Sequence, residues 1–247
     1  MNLKNKYHRY INRHQPENCY SNKKCIIKKA SLLTLFFASF CLYSVAQNHF
    51  SGNPDSALFD THEIDNFWKA FQDFKRDSTI NFFGPEYIAI GGPGVKGFTP
   101  NRIQNADYLF AVVKKKQADY EKVKINTLRI KEKEKQCRST FYALKYLYPQ
   151  AKFPPVYFVI GAYNSNGTSG DSGLFIGAEE TYNVDIIPVI VAHELIHFQQ
   201  TEPPTDTPTL LQQSIIEGSA DFLGEMISGN QINVKKIPIR QFARRGA

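Results

Sequence analysis

The apolar positions of this chain change period several times, and each change predicts an element. From Leu58 to Arg76, the residues Phe59, Ile64, Phe67, Trp68, Phe71 and Phe74 recur at helical intervals among polar neighbours. That spacing predicts an amphipathic helix whose aromatic stripe packs into a core. Asn105–Thr127, with Tyr108, Leu109, Val112, Val113 and Tyr120, and Lys131–Tyr148, with Phe141, Leu144 and Leu147, predict two more helices. The alternating charges of Lys131 to Lys135 read as a solvated helix surface. Val156–Ile160 is a short β-branched and aromatic run, as a buried strand requires, and Leu174–Glu179 is a second strand candidate after a loop rich in Gly, Ser and Asn. The glycines between Gly91 and Gly97 lack the Gly-Lys-Ser/Thr of a phosphate loop and read as turn punctuation.

Two helices close the pattern. Asp185 is placed to cap a helix from Ile186 to Gln200, with Pro188 tolerated in its first turn. Thr207 and Pro208 open a second helix that runs to Ser228 and stops at Gly229. The order is helices, a small sheet, then two helices, so the expected fold class is α+β, a mostly helical domain with a small sheet.

The N-terminus has a different character. Ser31 to Ala46 is uncharged and apolar, follows Lys23, Lys24, Lys28 and Lys29, and ends in Ser44-Val45-Ala46. A basic region, a short apolar core and a small-residue exit describe an export signal peptide over 1–46. The apolar run is shorter than the roughly 20 residues of a comfortable membrane span, although an uncleaved N-terminal anchor is the other reading. The polar stretch 47–57 is expected to be a flexible mature N-terminus, and 58–247 the folded domain. Eight of the 30 Lys and Arg, but only one of the 23 Asp and Glu, lie in the first 46 residues. The remainder is balanced in charge, so the overall +7 gives no support for nucleic acid as a partner. Of the four cysteines only Cys137 lies outside that leader, which rules out an internal disulfide framework for the mature part.

The chemistry sits in the two last helices. The segment IIPVIVAHELIHFQQ is apolar almost all round, the mark of a buried helix, and is interrupted by His193, Glu194 and His197. Burying two imidazoles and a carboxylate without partners costs several kcal/mol, and a cation compensates them directly. His193 and His197 stand four apart on one helix face, so both can reach one ion. Glu194 lies about 100° around the helix, displaced from the ligand line and placed to take a proton from water. This is the H-E-x-x-H arrangement of zinc peptidases. On the second helix Leu210, Ser214, Glu217, Asp221, Gly224 and Ser228 share a face, and Gly218, Ala220 and Gly224 are small enough for another helix to approach. Glu217 can complete a His2Glu zinc set, and Asp221 can orient a ligating imidazole.

HELIH followed by EGSAD at this distance resembles the gluzincins, the thermolysin-like zinc metallopeptidases with an H-E-x-x-H helix and an E-x-x-x-D helix. The stretch from Val156 to Gly229 is also similar to a bacterial family of predicted zinc-dependent proteases of unknown function. The resemblance implies that His193, His197 and Glu217 bind Zn2+, that Glu194 is the general base, and that Asp221 supports a ligand. It also implies that the strand carrying Leu174, Phe175, Ile176 and Gly177 is the sheet edge along which a peptide or protein substrate lies as an added strand. The expected function is therefore an exported peptidase, periplasmic, surface-attached or secreted. Thermolysin-like enzymes place a His or Tyr well beyond the glutamate helix to steady the tetrahedral intermediate. No His or Tyr follows Glu217 here, and the ending IPIRQFARRGA is abrupt for a folded domain. Arg240, Arg244 and Tyr182 are the donors the sequence offers, and the alternative expectation is a truncated or non-catalytic zinc-binding protein of the same fold.

Overall fold

A four-stranded mixed sheet carries the helices. It was located in a computed structural model that describes residues 50–200 and 208–231. The predicted signal peptide and the donors Arg240 and Arg244 lie outside the described residues. Strands β1 (Phe59–Asp60), β2 (Val156–Val159), β3 (Gly167–Gly170) and β4 (Gly173–Gly177) are arranged in the order β1-β2-β4-β3. β2 runs parallel to β1 and β4, with Val156 opposite Leu174 and Phe158 opposite Ile176, while β3 is antiparallel to β4. β2 and β4 are buried at every residue, as their near-continuous apolar sequences require.

The helices are α1 (His62–Arg76), α2 (Pro93–Phe98), α3 (Ala106–Lys115), α4 (Gln117–Leu128), α5 (Glu134–Leu147), α6 (Ile187–Gln199) and α7 (Leu210–Ser228). The aromatic stripe of α1 is core: Phe67 is fully buried, with its ring centroid 5.3 Å from Phe83 and 5.4 Å from both Tyr87 and Tyr120. Trp68 is buried too, and its indole N–H donates to Thr127 Oγ1 at 2.9 Å. Cys137 is a buried free thiol on α5, and burial pushes its pKa up to about 12.

Several boundaries differ from those the sequence predicts. Phe59 and Asp60 leave the first helix to form β1. The expected helix 105–127 is broken at Lys116 (φ −112°, ψ 25°) into α3 and α4. The glycine-rich stretch forms α2 instead of a turn, because its small residues let a helix lie directly on the sheet. A Cβ on Gly97 would fall 2.2 Å from the Phe175 ring, and one on Gly94 would fall 2.9 Å from the Tyr157 Cβ. Between Phe50 and Ala57 the chain is tied down: Pro54 and Ala57 are buried, Phe50 meets Phe198 edge-on, and Arg138 donates to the carbonyls of Pro54 and Ala57.

The largest correction concerns the sheet edge. Leu174, Phe175, Ile176 and Gly177 belong to an internal strand, covered on one side by β2 and on the other by β3. Their backbone groups are engaged, and Leu174, Phe175 and Ile176 are at most 3% exposed, so an added peptide cannot pair there. The edge on that side of β4 is β3, in the segment expected to be loop. Its Gly-Thr-Ser-Gly sequence has little intrinsic strand preference. Pairing with β4 holds it extended.

Candidate metal centre

α6 begins differently from expectation. Asn183, not Asp185, provides the cap: its side chain accepts from the Asp185 N–H at 3.0 Å and opens a 3-10 turn over Val184–Ile186 that continues into α6. Asp185 pairs instead with Lys133 at 2.6 Å, which holds its carboxyl below the usual range. α7 is capped by Thr209 and Gln212, whose side chains bond reciprocally to each other's backbone N–H in a capping box. It ends at Gly229, whose φ of 67° is the left-handed cap expected there.

α6 and α7 pack closely because Gly224 of α7 faces the backbone of α6 at His193. Ala220 is buried beside it, whereas Gly218 is exposed with open space around it and has no role in the approach. The opposite face of α7 presents Leu211, Ile215, Phe222 and Met226 to solvent.

This packing gathers the sequence-predicted residues. His193 Nε2 and His197 Nε2 stand 2.9 Å apart, and Glu217 Oε2 lies 3.3 Å from His197 Nε2 and 3.7 Å from His193 Nε2. One ligand atom from each of the three residues lies within 4.8 Å of the others, so the group could hold a metal ion. Asp221 Oδ1 is 2.9 Å from His193 Nδ1, off the straight line of an N–H bond but beside the nitrogen that faces away from Glu217.

A residue the sequence did not reveal fixes the second imidazole. Gln200 Nε2 donates to Ile216 O and Ser219 Oγ of α7, each at 2.9 Å, so its Oε1 must be the atom 2.8 Å from His197 Nδ1. An acceptor at that place makes Nδ1 the protonated nitrogen and leaves Nε2 with a lone pair. Asp221 favours the same tautomer in His193. The two Nε2 lone pairs then face one another at 2.9 Å, an arrangement that repels unless a positive charge sits between them. Burial, followed by the neighbouring His197, lowers the His193 pKa, while Asp221 and Glu217 oppose the shift. Protonation of His193 is therefore a poor source of that charge, and two imidazoles with a carboxylate form a donor set suited to a divalent transition metal. The residues fit the ion.

Glu194 stands apart from the ligand line, 6% exposed, with its carboxylate against β3. A Cβ on Gly167 would come 2.6 Å from Glu194 Oε1, so this position of the edge strand must be bare. Gly167 pairs with Ile176 while Thr168 pairs with Phe175, so α6 covers the sheet face opposite α2. Burial first, and then Glu217, push the Glu194 carboxyl up to about 8, with Arg102 pulling the other way. These groups line one cleft of about 510 Å³, with α6 and α7 on one side and Asn166 to Ser169 of the β3 edge on the other. Leu174 to Gly177 do not reach it, and neither does Tyr182, which is exposed elsewhere.

No protein-family model, curated protein or solved structure matches the chain.

Proposed function

We propose that this protein is a zinc-dependent peptidase that works outside the cytoplasm, cleaving a peptide laid along the β3 edge. The observation that carries the reading is the pair of imidazole Nε2 atoms facing each other at 2.9 Å, with His197 Nδ1 bonded to Gln200, the Asp221 carboxylate beside His193 Nδ1, and Glu217 closing the third side. His193, His197 and Glu217 would hold the ion, and three protein ligands leave one position open, as catalytic zinc sites do. A zinc ion bound there supplies Lewis-acid chemistry, polarising a carbonyl and acidifying water.

The chain's own residues supply the rest. Glu194 is not a ligand; it lies one residue round the helix from His193, between the ligand group and the edge strand. A cation held by the ligand group would favour the ionised form of this carboxyl, which then accepts the proton of an attacking water at one of its oxygens and delivers it to the leaving amine nitrogen. The low exposure of Glu194 limits competition from bulk water for that proton. On the side away from β4 no further strand among the described residues pairs with β3, and its Gly167 and Ser169 carbonyls meet only the Ser165 and Thr168 hydroxyls, so an extended peptide can add as a fifth strand. The bare Gly167 lets the peptide backbone and Glu194 approach the same point. A site that only stored metal would not need a buried carboxylate aimed at a strand edge. Export rests on the basic, apolar and small-residue sequence of the first 46 residues.

The test is cleavage of a peptide library by zinc-loaded protein with and without chelator, beside Glu194→Gln. Chelator-sensitive cleavage that disappears in Glu194→Gln, with bound zinc unchanged, is the expected result. Full activity in that variant would remove Glu194 as the proton carrier.

A further inference from the structure

The cleft has a second charged feature that the ligand group does not use. Arg102 is the one guanidinium among its described lining residues. It comes from a π-helical turn, Thr99–Ile103, some 90 positions before the histidines, so neither motif in the last helices foretells it.

The turn is held firmly. Thr99 Oγ1 donates to Val95 O at 2.6 Å, and Asn164 Nδ2 donates to the Arg102 carbonyl at 2.9 Å. Directly after it Gln104 adopts φ 62° and ψ −68°, closing a three-residue γ-turn in which the Asn105 N–H donates to Ile103 O at 2.8 Å. A non-glycine residue held at that conformation is strained, and such strain persists only where the surroundings enforce it. The Asn164 clamp links this turn to the loop that leads into β3, so Arg102 and the edge strand are positioned together.

No carboxylate among the described residues pairs with the guanidinium. Arg102 makes no ion pair among the described residues, its Nε is buried without a hydrogen-bond partner, and yet its charge is felt at Glu194. A structural arginine at a cleft wall normally meets a carboxylate or a row of carbonyls. An unsatisfied one presents a planar fork of donors that matches a carboxylate.

We propose that Arg102 anchors a carboxylate carried by the substrate, so that the cleft selects peptides with a free acid close to the bond that is cut. The acid is either the peptide's terminal carboxylate or an acidic side chain. The inference rests on the peptidase reading only for what kind of molecule bears the carboxylate.

Equilibrium binding separates the two ideas. Three probes are titrated by calorimetry into zinc-supplemented Glu194→Gln protein, which avoids turnover: acetyl-dialanine with a free carboxylate, the same compound as its amide, and acetyl-alanyl-glutamate amide. At least one acid should bind about ten- to a hundredfold more tightly than the dialanine amide, the range of a charge-assisted pair, and the acid that does so identifies the source. Adding Arg102→Gln should erase that preference, and Arg102→Lys, which keeps the charge but not the fork, should keep part of it. Equal binding of acids and amide overturns the proposal. So does a preference that survives Arg102→Gln, because the carboxylate would then sit on the metal. If the preference follows Arg102 but protein with Glu194 intact cleaves no peptide, the anchor stands and the peptidase reading falls.

Discussion

Gly224 lies against the His193 backbone so closely that a Cβ on it would stand 3.0 Å from the His193 nitrogen and 3.1 Å from its Cα. Both atoms belong to a helix backbone and cannot move aside without moving α6. The contact therefore sets the distance between the helix that carries the imidazoles and the helix that carries Glu217. Gly224→Val should force them apart, costing about 1–3 kcal/mol as overpacking does. It should also weaken metal affinity at least about tenfold, since ligand misplacement is felt by the ion. Gly218→Ala is the control: with open space at that position, it should gain up to about 1 kcal/mol of helix stability and leave metal affinity alone. Denaturant melts and metal titrations of both variants check the pair.

Gln200 joins three things: the end of α6, the middle of α7, and the tautomer of His197. Gln200→Leu keeps the bulk and deletes the acceptor at Nδ1. Outer partners of metal-bound imidazoles are worth about 10–100-fold in affinity. A loss in that range is expected in a competition assay with a chromogenic chelator. An unchanged affinity would show that the tautomer is set without it.

Glu179 gives the fold a pH dependence of a defined sign. Its carboxyl is fully buried, accepts from the Gly161 N–H at 2.8 Å and the Tyr163 N–H at 3.2 Å, and is pushed by burial from its ordinary 4.5 to about 7. Between those values the folded chain holds a proton that the unfolded chain has lost. Stability is therefore greatest below the unfolded value and falls as pH rises through the folded one. The limit is on the order of 3 kcal/mol, at about 1.4 kcal/mol per unit. Glu179→Gln, which cannot ionise, should flatten the stability curve between about pH 4.5 and 7 in denaturant titrations. A curve as steep as that of the parent protein would assign the dependence to other groups.

The grouping of His193, His197 and Glu217, which could hold a metal ion, was the most legible part of the sequence. His193, Glu194 and His197 interrupt an apolar helix where a polar residue needs a reason, and Glu217, Asp221 and Gly224 share a helical face. Local spacing carries such information directly. The edge strand was not legible because Gly167, Thr168, Ser169 and Gly170 become a strand only by pairing with residues just beyond them. A two-residue strand, Phe59–Asp60, is hidden because its phenylalanine continues the helical period of the aromatic stripe. Lys116 breaks a helix with neither proline nor glycine to announce it. Gln200 and Arg102 escape because their contacts join segments distant in sequence or sit at a helix end, where no periodicity applies.

The most direct measurement is zinc per chain in purified protein, with His197→Ala and Glu217→Ala measured alongside under the same dialysis. One ion per chain in the parent protein, and a large loss in each variant, is the predicted result. Full zinc content in Glu217→Ala as well as in His197→Ala would contradict a centre built from two imidazoles of α6 and one carboxylate of α7.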